Sequence, residues 1–185
     1  NGEAETGVTS MQMDVGLDTG DMLLKKSVKI TENMNAGMLH DELSVMGAEV
    51  LIETINELKK GTLNPQKQDD SLSNYAPMLS KDLCPIDFTK SAQEVHNQIR
   101  GLSPWPVATT TISGKKFKIH SSQILAEDFV GKAGEIVDNN NRLVCMCGDG
   151  KAIEILEIQA EGKRRTDTVS FLRGNKIEKG IVIGE

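Results

Sequence analysis

The stretch Thr6-Gly7-Val8-Thr9-Ser10-Met11-Gln12-Met13-Asp14-Val15-Gly16-Leu17-Asp18-Thr19-Gly20-Asp21-Met22-Leu23 decides how the front of this chain is read. Val8, Met11 and Met13 are the apolar members of a short strand pattern, which runs into a loop with two glycines and three carboxylates. A second strand pattern leads away from the loop. Gly16 and Gly20 permit backbone angles that bring peptide N–H and C=O groups close to something flat or charged, and they also suit an ordinary tight turn. An aspartate beside glycine often bonds only its own backbone. Held between two strand ends, however, the Asp18 carboxylate is positioned, which makes it the leading candidate for a working residue.

Outward from the loop, Met22 to Ile30 reads as a strand with Leu24 and Val28 apolar and Lys25, Lys26 and Lys29 exposed. Asn35 is a helix cap. Leu39, Leu43, Met46, Val50, Leu51, Ile55 and Leu58 follow helical spacing up to Lys59-Lys60 and Gly61, with Gly47 a point where the helix could kink or divide. From Thr62 to about Asp82 the periodicity dissolves into polar residues and prolines, the pattern of a linker crossing the surface. Ser91-Ala92-Gln93-Glu94 is a capping box, and the helix it opens ends at Ser103-Pro104-Trp105-Pro106 because proline cannot continue it. Trp105, the only tryptophan, reads as a packed anchor where the chain enters its next domain, in preference to a base-stacking role.

From Ala108 onward short strand patterns alternate with turns, at Ser113-Gly114-Lys115, Asp138-Asn139-Asn140-Asn141 and Gly148-Asp149-Gly150. The spacing predicts a small, mainly β barrel of OB-like form. Gly148-Asp149-Gly150 lacks the strand-to-helix context and lysine–hydroxyl pair of a phosphate loop, so a hairpin turn accounts for it. Asp167 caps a short helix through Val169, Phe171 and Leu172, and Ile181-Val182-Ile183 offers a last strand to close the barrel. Lys116, Lys118 and His120 alternate with Phe117 and Ile119, which places the charged set on one strand face and the apolar pair in the core. Lys163-Arg164-Arg165 adds a loop cluster, with Lys115, Lys151 and Arg173 near it. Solvated surface lysines and phosphate ligands are both consistent with that pattern.

Taken together, Glu5-Thr6-Gly7-Val8-Thr9, Met11-Gln12-Met13 and Gly16 to Leu23 resemble the end of the catalytic domain of the folate-dependent formyltransferases. The likeness continues through Gln68-Asp69-Asp70-Ser71-Leu72, Tyr75-Ala76-Pro77, Ile86-Asp87-Phe88, Ile99-Arg100, Pro104-Trp105-Pro106 and Gly148-Asp149-Gly150. It ends at Gln159, Gly162-Lys163-Arg164-Arg165 and Phe171-Leu172-Arg173-Gly174, and so covers nearly the whole chain. The resemblance implies an α/β remnant of a Rossmann-like formyltransferase domain in residues 1–63, a linker in 64–82 and an OB-like tRNA-binding domain in 83–185. It also implies formyl transfer from 10-formyltetrahydrofolate to the amine of initiator methionyl-tRNA, in translation initiation. By the same likeness Asp18 is the catalytic aspartate, Leu17, Thr19 and Gly20 border the folate, and Lys116, Lys118, Lys163, Arg164 and Arg165 meet tRNA phosphates. A sugar-nucleotide formyltransferase, a formyltetrahydrofolate hydrolase or dehydrogenase relative, and a noncatalytic RNA-binding barrel are the alternatives.

Family members carry a catalytic asparagine and histidine upstream of the Asp18 loop, and neither Asn1 nor His40 lies in the expected motif. The sequence therefore reads as a fragment, expected to be inactive alone and able to self-associate through strand edges left unpaired, where the complete protein would be a monomer. The net charge of the 185 residues is −6, which argues against a simple nucleic-acid-coating protein. Its distribution is uneven, since residues 1–88 carry 7 Lys/Arg against 15 Asp/Glu and residues 89–185 carry 14 against 12. The back half is thus the expected polyanion partner. Three cysteines, an odd count, favour reduced thiols in a cytoplasmic protein. Scattered histidines predict no metal site, and no apolar run is long enough to span a membrane.

Overall fold

Alternating exposure along Glu5–Met11 forms strand β1, which pairs antiparallel with β2, Met22–Lys29, so that Val8 faces Lys26 and Ser10 faces Leu24. A computed structural model describes residues 1–184 and divides them into two units, Glu3–Met78 and the chain from Leu79 onward together with Asn1–Gly2.

In the first unit the β1–β2 ribbon packs against helix α1, Ala36–Lys60. Asn35 Oδ1 accepts from the Met38 N–H at 2.9 Å, and Gly61, at φ 69°, closes the helix in the left-handed conformation that glycine adopts at least cost. Gly47 neither kinks nor divides the helix, which runs unbroken for 25 residues. The buried side of α1 is narrow, since Val50 and Thr54 are its only buried residues while Leu51, Ile55 and Leu58 of the expected apolar stripe are exposed. Thr54 donates its hydroxyl to the Val50 carbonyl and accepts from Ser10 Oγ, each at 2.7 Å, and Ser10 Oγ in turn accepts from the Leu24 N–H. This chain ties helix to ribbon, with Lys26 reaching Glu49 and Glu53 beside it.

In the second unit helix α2, Ala92–Gly101, is opened by a complete Ser91/Glu94 capping box. The Ser91 hydroxyl bonded to Glu94 holds that carboxyl below its ordinary range. Ala92, Val95 and Ile99 of α2 are fully buried, each of the two larger ones worth about 1.5–3 kcal/mol of apolar transfer. They lie in one core with residues of five strands, β3 (Ala108–Ile112), β4 (Lys115–Ile124), β5 (Ile136–Asp138), β6 (Leu143–Met146) and β7 (Ala152–Ala160), while the short β8 (Thr166–Asp167) lies outside that core. The spatial order is β3-β4-β7-β6-β5, all antiparallel, with β8 pairing β7. Helix α3, Thr168–Gly174, follows, capped by Asp167 as its sequence requires.

Residues 180–184 run between the two ends of this sheet. Ile136 N–H donates to the Ile181 carbonyl, Ile183 N–H to Gly134, and Gly184 N–H to Thr111 of β3. Cys145 and Cys147, both free and buried, belong to the core, and burial pushes the Cys147 thiol up to about 12. Gly148-Asp149-Gly150 does more than turn a hairpin. A Cβ on Gly148 would stand 1.7 Å from the Thr89 carbonyl oxygen, and Asp149 Oδ1 accepts from the Ala92 N–H at the start of α2.

Candidate functional site: an aspartate loop and a basic groove

At the neck of the β1–β2 ribbon the Gln12 N–H donates to the Asp21 carbonyl at 2.8 Å. Residues 13–20 project beyond it. Gly20 is buried at this neck, and a Cβ there would lie 1.6 Å from the Gln12 carbonyl oxygen, so no other residue fits without moving backbone. Asp18 sits at φ 54°, a left-handed conformation that aspartate tolerates better than most residues.

The loop is held from outside the ribbon. Gln68 Nε2 donates to the carbonyls of Asp18 and Gly20, at 2.7 and 2.8 Å, and Met22 and Gln66 exchange two backbone hydrogen bonds at 2.8 and 2.9 Å. The polar segment after α1 therefore returns to the loop and fixes its main chain. The Asp18 side chain stays exposed, with no hydrogen bond or ion pair among the described residues, and Leu17 beside it is 91% exposed. Met13 belongs to this exposed loop, not to the strand in which its spacing placed it. Gln68 is the residue that pattern reading missed as part of the site, since it stands 50 positions from Asp18 in a stretch without periodicity.

In the second unit the structure separates the basic residues into two groups. Lys116, Lys163 and Arg164 line one groove of about 1110 Å³, and Lys115 and Lys176 line it with them. Its floor holds Phe117 and Phe171, ring centroids 5.8 Å apart in an edge-on pair, flanked by Ile112 and Ile177. Lys118 and Arg165 lie outside this groove, in the surroundings of His120, and Arg165 is paired with Glu157.

His120 is not on the solvent face with Lys116 and Lys118. The β4–β7 register passes from Ile119↔Ile158 to Ser121↔Glu157, leaving His120 as the extra residue of a bulge, so it turns inward and is only 9% exposed. Its Nε2 lies 2.9 Å from Gln159 Oε1, while Gln159 Nε2 donates to the Lys163 carbonyl at 2.9 Å. Since the amide's own N–H is committed to Lys163, the His120 nitrogen is the donor to Gln159. Nδ1 is buried without a partner among the described residues. Burial holds the His120 pKa below its ordinary 6.5, opposed by the Gln159 bond.

Trp105 is 60% exposed, so it is not the packed anchor expected of it. Among the described residues no group of three or more His, Cys, Asp or Glu is placed to hold a metal ion, and no helix is long and apolar enough to cross a membrane.

A family model described as the formyl transferase C-terminal domain matches residues 78–176, and one described as formyl transferase matches residues 1–55. The methionyl-tRNA formyltransferase of Geobacter metallireducens is 45% identical over all 185 residues, and that of Alkaliphilus metalliredigens is 47% identical over an alignment of 186 covering the whole chain. The chain spans 58% and 59% of those two relatives. Among solved structures, an N-formyltransferase from Helicobacter canadensis in complex with folinic acid and dTDP-3-aminofucose superposes with a TM-score of 0.65 at 26% identity, over 85% of this chain and 56% of its own. With more than half its length matched by one of the two family models and residues 1–55 by the other, the chain belongs to the formyl transferase family.

Proposed function

We propose that the protein to which this chain belongs transfers the formyl group of 10-formyltetrahydrofolate to the amine of initiator methionyl-tRNA, in the cytoplasm. The observation that carries this reading is whole-chain identity of 45–47% to curated methionyl-tRNA formyltransferases. The folinic acid of the 26% identical N-formyltransferase supports a folate donor. In the reaction the amine nitrogen forms a bond to the formyl carbon, the carbon–N10 bond breaks, and a proton given up by the amine ends on N10. Negative charge develops on the formyl oxygen on the way, and a group must manage the proton.

Asp18 is the residue of this chain assigned to the proton, acting through the histidine that relatives carry upstream by orienting it and favouring its charged form. Its exposed carboxylate on an immobilised main chain supports that role. Leu17, Thr19 and Gly20 border the folate. The basic set of the second unit, Lys116, Lys118, Lys163, Arg164 and Arg165, meets tRNA phosphates, and aromatic residues at 3% of the chain favour recognition of a folded RNA by shape and charge over base stacking. We read residues 1–63 as the end of the catalytic domain, 64–82 as the linker, and 83–185 as an OB-like domain. The bridging of residues 180–184 between β3 and residues 134–136 supports the barrel.

The test is formylation by this chain joined to the upstream portion of the Geobacter metallireducens relative, with 10-formyltetrahydrofolate and initiator methionyl-tRNA. Formylmethionyl-tRNA is the expected product. A folded fusion that yields none rejects the reading.

A further inference from the structure

The turn between β7 and β8 is tied to a side chain that can take up a proton. Gln159, in β7, commits both ends of its amide: Oε1 lies 2.9 Å from His120 Nε2, and Nε2 donates to the Lys163 carbonyl at 2.9 Å. Within the turn, the Lys163 N–H donates to the Ala160 carbonyl at 3.0 Å, with Gly162 in the left-handed region at φ 69°. The Gln159 tie leads out of the turn, and it ends on the imidazole that the β4 bulge sets apart from the regular register.

The other ring nitrogen decides what a proton would do. His120 Nδ1 is buried with no hydrogen-bond partner among the described residues. In a neutral ring that donates through Nε2, this atom carries only a lone pair and needs no acceptor. Protonated, it becomes a charged donor with nothing to receive it, a costly state in a buried position. Burial is the largest influence against the charge; the Gln159 bond favours it, Arg165 and Lys118 oppose it, and Glu157 favours it. Glu157 is itself paired with Arg165, so its carboxylate is not free to receive Nδ1–H. On the neighbouring strand β3 carries no titratable residue, and α2 brings His96 to β4, bonded to Ser122 at 3.0 Å. The fold thus holds a place for the neutral ring and none for the charged one. As the ring charges it leaves the bulge for water, and Gln159 loses the partner that orients its amide.

We propose that His120 and Gln159 form a proton-sensitive latch on the β7–β8 turn, closed while the imidazole is neutral and open once it is charged. The turn carries Lys163 and Arg164, so the latch sets how firmly two of the chain's cations are held in place. His120 supplies the sensing group, Gln159 the link, and the Lys163 carbonyl the point at which the turn is held.

The experiment follows the 185-residue chain by NMR from about pH 7.5 to about pH 5. It reads the His120 ring, the amide shifts of Gly162 and Lys163, and the exchange protection of the Lys163 amide corrected for the intrinsic pH dependence of exchange. Gly114, in the β3–β4 turn, is the reference and should not move. In the parent the turn amides are expected to titrate with the His120 midpoint, below pH 6.5. Lys163 protection should fall roughly 3- to 10-fold across it, the hold of about one hydrogen bond. His120→Gln keeps an N–H for Gln159 without a titrating ring, and should hold Lys163 at its parental pH 7.5 protection throughout. Gln159→Met removes both bonds at similar length and should show the weakened protection at every pH, a comparison that stands even where His120→Gln does not fold. The latch is overturned if the ring stays neutral to pH 5 or the turn amides do not follow its midpoint. It is overturned equally if they titrate in His120→Gln as in the parent, which assigns the effect to carboxylates such as Glu157 or Glu161, or if Gln159→Met protects Lys163 as the parent does at pH 7.5.

Discussion

Gln68 holds Asp18 by its main chain: the side-chain amide donates to the Asp18 carbonyl at 2.7 Å and to the Gly20 carbonyl at 2.8 Å, across 50 and 48 residues of sequence. One amide therefore fixes the main chain on both sides of Thr19. The carboxylate is left unencumbered while the backbone beneath it is immobilised, the arrangement a proton-handling group requires if it is to meet its partner in one geometry.

Gln68→Leu removes both donors and keeps the side chain's bulk. Each lost hydrogen bond is worth about 0.5–1.5 kcal/mol, so unfolding of the first unit should become easier by about 1–3 kcal/mol. Chemical denaturation followed with a probe placed in that unit checks this. In the fusion assay the same variant should lower turnover more than it raises the KM for tRNA.

Gly20→Ala tests the neck of the loop. The new methyl would stand 1.6 Å from the Gln12 carbonyl oxygen, a backbone atom that cannot move aside cheaply. The ribbon must open there, at a cost of roughly 3 kcal/mol or more. The Gln12 amide, bonded to Asp21, should lose its protection in hydrogen exchange.

Buried His120 makes stability depend on pH in a definite direction. Its folded-state pKa lies below 6.5, so between that pH and the folded value the unfolded chain binds more protons. Stability from this group is complete above about pH 6.5 and declines as pH falls below it, with Lys118 and Arg165 adding to the cost of the charged ring and Glu157 opposing them. His120→Gln should flatten the stability profile across this window. Carboxylates held below their ordinary range, such as Asp87 beside the Thr89 hydroxyl, act in the same direction but only at lower pH. The two windows are resolved by unfolding measurements at pH 7, 6 and 5.

Much of this architecture is legible in the residues themselves. Asn35, Gly61, Ser91 and Asp167 mark helix ends by chemistry that acts within a few residues, and the turns of the back half announce themselves through glycine and asparagine. Long-range consequences are not legible in that way. Nothing local to Gln68 shows that it will reach Asp18. The bulge at His120 shifts the phase of β4 by one residue, which defeats a strict alternation of inward and outward positions. Trp105 is large and apolar, yet composition alone does not show that its ring is left 60% exposed. That Arg165 is neutralised depends on Glu157 meeting it across a hairpin, a pairing that tertiary structure decides.

The most direct measurement is single-turnover formylation of initiator methionyl-tRNA by the fusion described above, comparing the parent with Asp18→Asn. The amide keeps size and shape and removes the charge. The account predicts a fall in the rate of formyl transfer of about 100-fold or more with tRNA affinity unchanged. Transfer by the Asp18→Asn protein at the parental rate would contradict it.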